Sequence, residues 1–149
     1  QTTKLTWDDD HNVTRLEEAN GAASTWTYDA KTGYPTEIKD AEAAENGTPG
    51  TVLTYQYQLN GYVADLATKT SPEGRKWSFG YTTEGDLETV TDPIGTSTTT
   101  AGDYTTTNTY DTWGQLQTSK DANGNVTTYG NYDPNGYPQA ITDALNNAT

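Results

Sequence analysis

The stretch TYDTWGQLQTSKDANGNVT, residues 109–127, decides how the chain is read. It holds two turn signatures around a short alternating segment. The first is Tyr110-Asp111-Thr112-Trp113-Gly114 and the second is Asp121-Ala122-Asn123-Gly124. Glycine supplies the positive φ that tight turns require, and an Asp side chain bonds to nearby backbone. Between the turns, Leu116, Thr118 and Lys120 share one face of a period-2 segment, which is the signal of a half-buried strand. After the second turn, Asn125-Val126-Thr127-Thr128-Tyr129 is rich in strand formers. The stretch therefore predicts strand, turn, strand, turn, strand.

The same spacing recurs along the chain: an aromatic, a Gly four residues on, an acid seven further, and a second Gly three beyond that. Tyr110, Gly114, Asp121 and Gly124 are the cleanest copy. Tyr81, Gly85, Asp92 and Gly95 keep the register, as do Tyr132, Gly136 and Asp143, with Asn146 in place of the last Gly. Looser copies are Trp7, His11, Glu18, Gly21; Tyr28, Gly33, Asp40, Gly47; and Tyr57, Gly61, Ser71, Gly74. Starts near 7, 28, 57, 81, 110 and 132 make residues 1–149 one array of about six repeats. Most of the length variation falls at turns, where a stacked β array accepts it.

The fold class expected is all-β: tandem antiparallel β-hairpins forming a twisted, curved, spiral sheet with essentially no helix. The Ala- and Glu-rich piece from Asp40 to Glu45 is too short to be a helix on its own.

Composition supports this. Hydrophobic residues are 31%, below the usual roughly 45–50%. Yet there are 11 Tyr and 4 Trp, and Thr makes up about a fifth of the chain. A few large aromatics can replace many aliphatic residues as buried surface. The formal charge of −13 repels phosphate, which argues against a nucleic-acid partner. No apolar run approaches the roughly 18 residues needed to span a bilayer, so no membrane insertion is expected. With no cysteine there is no disulfide framework and no thiol nucleophile.

The Tyr-Asp-x-x-Gly unit followed by Asp-x-x-Gly resembles the YD repeat, also called the Rhs repeat. Tyr110-Asp111-Thr112-Trp113-Gly114 with Asp121–Gly124 carries the resemblance best. Tyr132-Asp133-Pro134-Asn135-Gly136 is a second match, and Tyr28-Asp29 a third with one insertion. The resemblance implies hairpin arrays that spiral into hollow shells around toxin domains in bacterial Rhs proteins and insecticidal toxin complexes. It also implies adhesion barrels in teneurins and surface scaffold in wall-associated proteins. The chain departs from the pattern in lacking the usual Gly-Arg-Leu: Gly114-Gln115-Leu116 and Gly136-Tyr137-Pro138 stand there instead. Asp92-Pro93-Ile94-Gly95 looks like part of the Rhs self-cleavage motif but lies in a repeat turn.

Candidate chemistry is sparse. His11, the single histidine, stands beside Asp8, Asp9 and Asp10, but at a turn position where other copies have Gly. Asp121-Ala122-Asn123-Gly124-Asn125 opens like a calcium loop, yet lacks Gly at the sixth place and Glu at the twelfth. No metal or cofactor is expected. Acids repeated in every copy suit a structural role better than a unique catalytic pair, so no catalytic residue is assigned and the chain is read as not an enzyme. Tyr28, Tyr57, Tyr81, Tyr110 and Tyr132 read as a core ladder. Gly33, Gly61, Gly85, Gly114, Gly124 and Gly136 read as turn residues, with Asp40, Asp92, Asp121 and Asp143 as turn starts. Trp113, at a turn position, is the candidate surface contact. Asn12, Asn46, Asn125 and Asn147 begin N-x-Ser/Thr sequons.

The functional expectation is a non-catalytic, extracellular or cell-surface scaffold, a stretch of shell or fibre. Its partners would be the rest of a longer array or copies of itself, an enclosed toxin domain, or surface glycans. The alternative is a carbohydrate or cell-surface binding module using exposed aromatics. Six hairpins leave open strand edges, which exposes pairing groups. The chain is therefore expected to be part of a longer protein or to assemble end to end.

Overall fold

The computed structural model describes residues 2–58 and 63–149, and Gly61 lies outside them. The chain divides into two compact units, Gln1–Lys76 and Trp77–Thr149. Strands alternate with turns throughout, as the Thr- and aromatic-rich sequence requires.

The first unit holds β1 (Lys4–Trp7), β2 (Val13–Glu17), β3 (Ala23–Tyr28), β4 (Pro35–Lys39), β5 (Thr51–Gln58) and β6 (Val63–Thr70). Each strand pairs antiparallel with the next. The second unit holds β7 (Lys76–Tyr81, whose first residue belongs to the first unit), β8 (Leu87–Thr91), β9 (Thr105–Tyr110), β10 (Leu116–Lys120), β11 (Val126–Tyr132) and β12 (Pro138–Thr142). These too pair in chain order. Past β12 the chain turns back: Ile141 and Thr149 exchange backbone bonds of 3.0 and 2.9 Å.

Within each unit the two sheet faces differ in chemistry. Pairs such as Leu5↔Leu16, Trp26↔Ile38 and Phe79↔Val90 place apolar side chains on one face. The other carries threonines that meet hydroxyl to hydroxyl: Thr54 and Thr68 at 2.6 Å, Thr91 and Thr105 at 2.8 Å, Thr109 and Thr118 at 2.6 Å. Cross-strand hydroxyl pairs of this kind stabilise a sheet modestly. Among the described residues the buried hydrophobic side chains are Ala23, Ala43 and Ala64, and no large side chain is fully enclosed. Tyr28, Tyr81, Tyr110 and Tyr132 are half-buried, whereas Tyr57 is 44% exposed. These tyrosines are therefore partly open to solvent.

The all-β class holds, with two short exceptions. The Ala- and Glu-rich insertion forms α1 (Ala41–Asn46), and Gly95–Ser97 form one 3-10 turn. Six residues are too few for an isolated helix. This one is held at both ends: the Asp40 side chain accepts from the Ala43 N–H, and Gly47 closes it at φ 65°. It lies on β3 and β4, where Ala43 and Ala23 are buried.

Candidate functional site

The repeating geometry is built from two devices. The first is the turn. At Asp111–Gln115 the Gly114 N–H donates to the Asp111 carbonyl at 3.1 Å, and the Asp111 N–H donates to the Gln115 carbonyl at 2.9 Å. The Asp111 carboxylate accepts from the backbone N–H groups of Trp113 (2.8 Å) and Gln115 (2.9 Å), and Gly114 takes φ 77°. The turn at Asp121–Asn125 is the same object, with carboxylate bonds of 2.9 Å from Asn123 and Asn125. So are those headed by Asp8, Asp133 and Asp143. His11 at φ 66° and Asn146 at φ 63° occupy the left-handed place that glycine holds elsewhere.

The turns headed by Asp8, Glu18, Asp111, Asp121, Asp133 and Asp143 therefore follow one rule: acid, two residues, then a left-handed residue; at Ser71–Gly74 and Thr82–Gly85 a hydroxyl residue takes the acid's place. The spacing from aromatic to Gly hides this, because the head of the first turn is the residue after the aromatic. Asp8, Asp29, Asp111 and Asp133 belong with the turn starts for that reason. The signal was legible as Asp-x-x-Gly at Asp111, Asp121 and Asp133, and one residue longer at Asp29. Three heads gain an extra clamp, in which an Asn amide donates to the second carboxylate oxygen: Asn12 to Asp8 at 3.1 Å, Asn125 to Asp121 at 2.8 Å, and Asn147 to Asp143 at 2.8 Å. These amides, foremost among their partners, hold the Asp121 and Asp143 carboxyls below the ordinary value of 3.8.

Asp40 and Asp92 head longer connections. Asp40 caps α1. Asp92 accepts from Ile94 at 2.8 Å and Gly95 at 3.0 Å, and its own N–H closes the loop on the Tyr104 carbonyl at 3.1 Å. Gly95 is not a left-handed turn residue. A Cβ there would lie 2.3 Å from the Asp103 carbonyl oxygen, so the position needs glycine for close approach.

The second device is a tyrosine staple. The Tyr28 hydroxyl donates to the Val13 carbonyl at 2.7 Å, and Tyr110 to the Leu87 carbonyl at 2.7 Å. Tyr132 donates to the Leu116 carbonyl. In each case the acceptor opens the second strand of the preceding hairpin. The phenol so ties one hairpin to the one before it.

In the third hairpin this part is played by Tyr55, which donates to the Pro35 carbonyl at 2.7 Å. A one-residue bulge marks the same place in five hairpins, beside Trp7, Tyr28, Tyr55, Tyr81 and Tyr110. Tyr57, the aromatic counted in the sequence spacing, stands two residues beyond. Here the extra residues lengthen β5 and β6 to eight residues each instead of enlarging a loop. Tyr57 donates to the Asp29 carboxylate, which lowers that group to about 2, and Lys31 stands 5.1 Å from its ring centre.

One concave surface stands out in the second unit. The adjacent turns Thr82–Asp86 and Asp111–Gln115 frame an open cleft of about 930 Å³ lined by Glu84, Asp86, Tyr110, Asp111, Trp113 and Gln117, among others. Trp113 is 83% exposed. The Asp86 carboxylate lies across Gly114, whose Cβ position would be 3.6 and 3.7 Å from its two oxygens.

Residues 110–148 match the family described as RHS Repeat. The resemblance drawn from Tyr110–Gly114, Asp121–Gly124 and Tyr132–Gly136 holds over that stretch. No curated protein matches the chain. Among solved structures, a crystal structure of TcdB2-TccC3-TEV is similar at 16% identity and a TM-score of 0.45, covering 98% of this chain. A Photorhabdus luminescens Tc holotoxin pore with a substituted TccC3 is similar at 14% identity and a TM-score of 0.49, covering 99%. This chain spans 9% of the length of either.

Proposed function

From the RHS repeat at residues 110–148, we propose that this chain is a non-catalytic stretch of scaffold in a secreted or surface-exposed protein, a piece of wall or fibre. The observation that carries the reading is the staple. Tyr28, Tyr55, Tyr110 and Tyr132 each tie a hairpin to its predecessor through a backbone carbonyl. A bond to backbone works whatever side chains the neighbour carries, so hairpins can be added without limit. Stability then accumulates from neighbour to neighbour, as in other repeat arrays. The turns project away from the pairing edges, where sequence can vary without breaking the ladder.

The role that follows is to extend a continuous surface that encloses or displays a polypeptide, with either the rest of a longer array or further copies of the chain at its ends. Size-exclusion chromatography with light scattering, joined to negative-stain microscopy, tests this. The expected result is elongated or end-to-end assemblies whose abundance rises with concentration. A monodisperse monomer at every concentration sinks the self-assembling form. Catalytic turnover lost on changing a single acid would overturn the scaffold reading as a whole.

A further inference from the structure

We infer that the cleft around Trp113 is a docking site for an arginine side chain of a basic peptide. Three observations converge on it. The first is the indole itself. A tryptophan 83% exposed leaves a large apolar surface in water, and its backbone sits in a turn where the Asp111 carboxylate accepts from the Trp113 backbone N–H at 2.8 Å. The backbone that carries the ring is thus ordered before any ligand arrives, which lowers the ordering cost of binding.

The second is the charge around it. Glu84, Asp86 and Asp111 line the same cleft. Among the described residues none of the three stands in an ion pair. The third is the composition of the unit. From Trp77 to Thr149 there are nine acids and a single cation, Lys120. The unit has almost nothing of its own with which to neutralise those carboxylates.

An exposed indole beside carboxylates fits a guanidinium better than any neutral group. The guanidinium plane stacks on the ring face, and its edge forks onto a carboxylate. The cleft opens to solvent along the turns, so the arginine can belong to an extended peptide rather than to a free small molecule. The inference stands independently of the scaffold reading.

The test is a titration of the whole chain with the peptide acetyl-(Gly-Arg)3-amide. It is run at about 0.15 M salt, where the screening length is about 8 Å and distant charges contribute little. Affinity is read by isothermal titration calorimetry in every variant, and the place of binding by the indole N–H resonance of Trp113, identified by its loss in Trp113→Ala. Saturable binding that shifts this resonance is expected. Trp113→Ala, which leaves the charge untouched, should weaken affinity about tenfold. Glu84→Gln combined with Asp86→Asn should do the same with the indole still in place. Glu88→Gln removes an exposed acid on β8 outside the cleft and should stay within about twofold.

Equal affinity in Trp113→Ala means diffuse charge attraction and overturns the inference. So does equal binding of the citrulline peptide, which has the same shape without the charge. So does a Trp113 shift produced by a maltooligosaccharide and not by the arginine peptide.

Discussion

The turn at Asp121–Asn125 and the connection from Asp40 to Thr51 do the same job by different means. Both begin with an aspartate whose carboxylate accepts backbone N–H groups, and both contain a left-handed glycine, Gly124 at φ 87° and Gly47 at φ 65°. Between those points the first has two residues and the second winds a helix. The head and the left-handed residue are what the array needs; the interior is free. The longer connection also carries a packing demand that the short one lacks. Gly50 is buried, and a Cβ there would lie 2.2 Å from the Ile38 carbonyl oxygen. By contrast, Gly124 would meet little more than the end of the Lys120 side chain at 4.0 Å.

The largest effect should come from that difference. Gly50→Ala should cost about 3 kcal/mol in chemical denaturation, because backbone must move. Gly124→Ala should cost about 1 kcal/mol, from φ alone. Equal values would break the distinction between close approach and left-handed backbone.

Next, Asp40→Ala and Asp121→Ala should each cost about 1.5 kcal/mol through loss of the same kind of cap. A silent Asp40→Ala would mean that the two connections do not share a head. Among the tyrosines, Tyr55→Phe and Tyr110→Phe should each cost about 1 kcal/mol by losing the bond to a neighbouring carbonyl. Tyr57→Phe should cost less, since its ring is exposed. A larger loss at Tyr57 than at Tyr55 would return the repeat position to Tyr57.

Asn146→Gly should raise stability by about 0.5 kcal/mol, measured as a shift in midpoint, because Asn146 holds φ 63° without glycine's freedom. The smallest effect concerns pH. The Asp29 carboxyl lies at about 2 in the folded chain against an ordinary 3.8, chiefly through the Tyr57 hydroxyl. A depressed carboxyl stabilises the folded state above its unfolded value and loses that contribution as pH falls through the folded one. Tyr57→Phe should therefore flatten the decline in stability between pH 3.8 and about 2, read from midpoints at several pH values.

Much of this was legible in residue order. Turn positions showed in Asp-x-x-Gly, since few residues tolerate positive φ and few side chains bond their own backbone two residues on. Strand positions showed in the Thr and aromatic runs between them. The site was legible in part, because Trp113 stands in a turn where its neighbours are polar. Spacing misplaced the third aromatic. Tyr55 and Tyr57 are both aromatic and two residues apart, so they satisfy the same alternation, and only the bulge and the bond to Pro35 separate them. Gly95 reads like any turn glycine, and only the approach of the Asp103 carbonyl shows why it is needed.

The sequence by itself determined the hairpins: local φ preferences, side-chain-to-backbone bonds and period-2 patterning act over a few residues. Tertiary structure decided which tyrosine staples to which carbonyl, that the Ala-rich insertion becomes a helix on β3 and β4, and that Glu84 and Asp86 come to stand beside Trp113. These depend on contacts between segments roughly 15–30 residues apart, and no local preference encodes such distances.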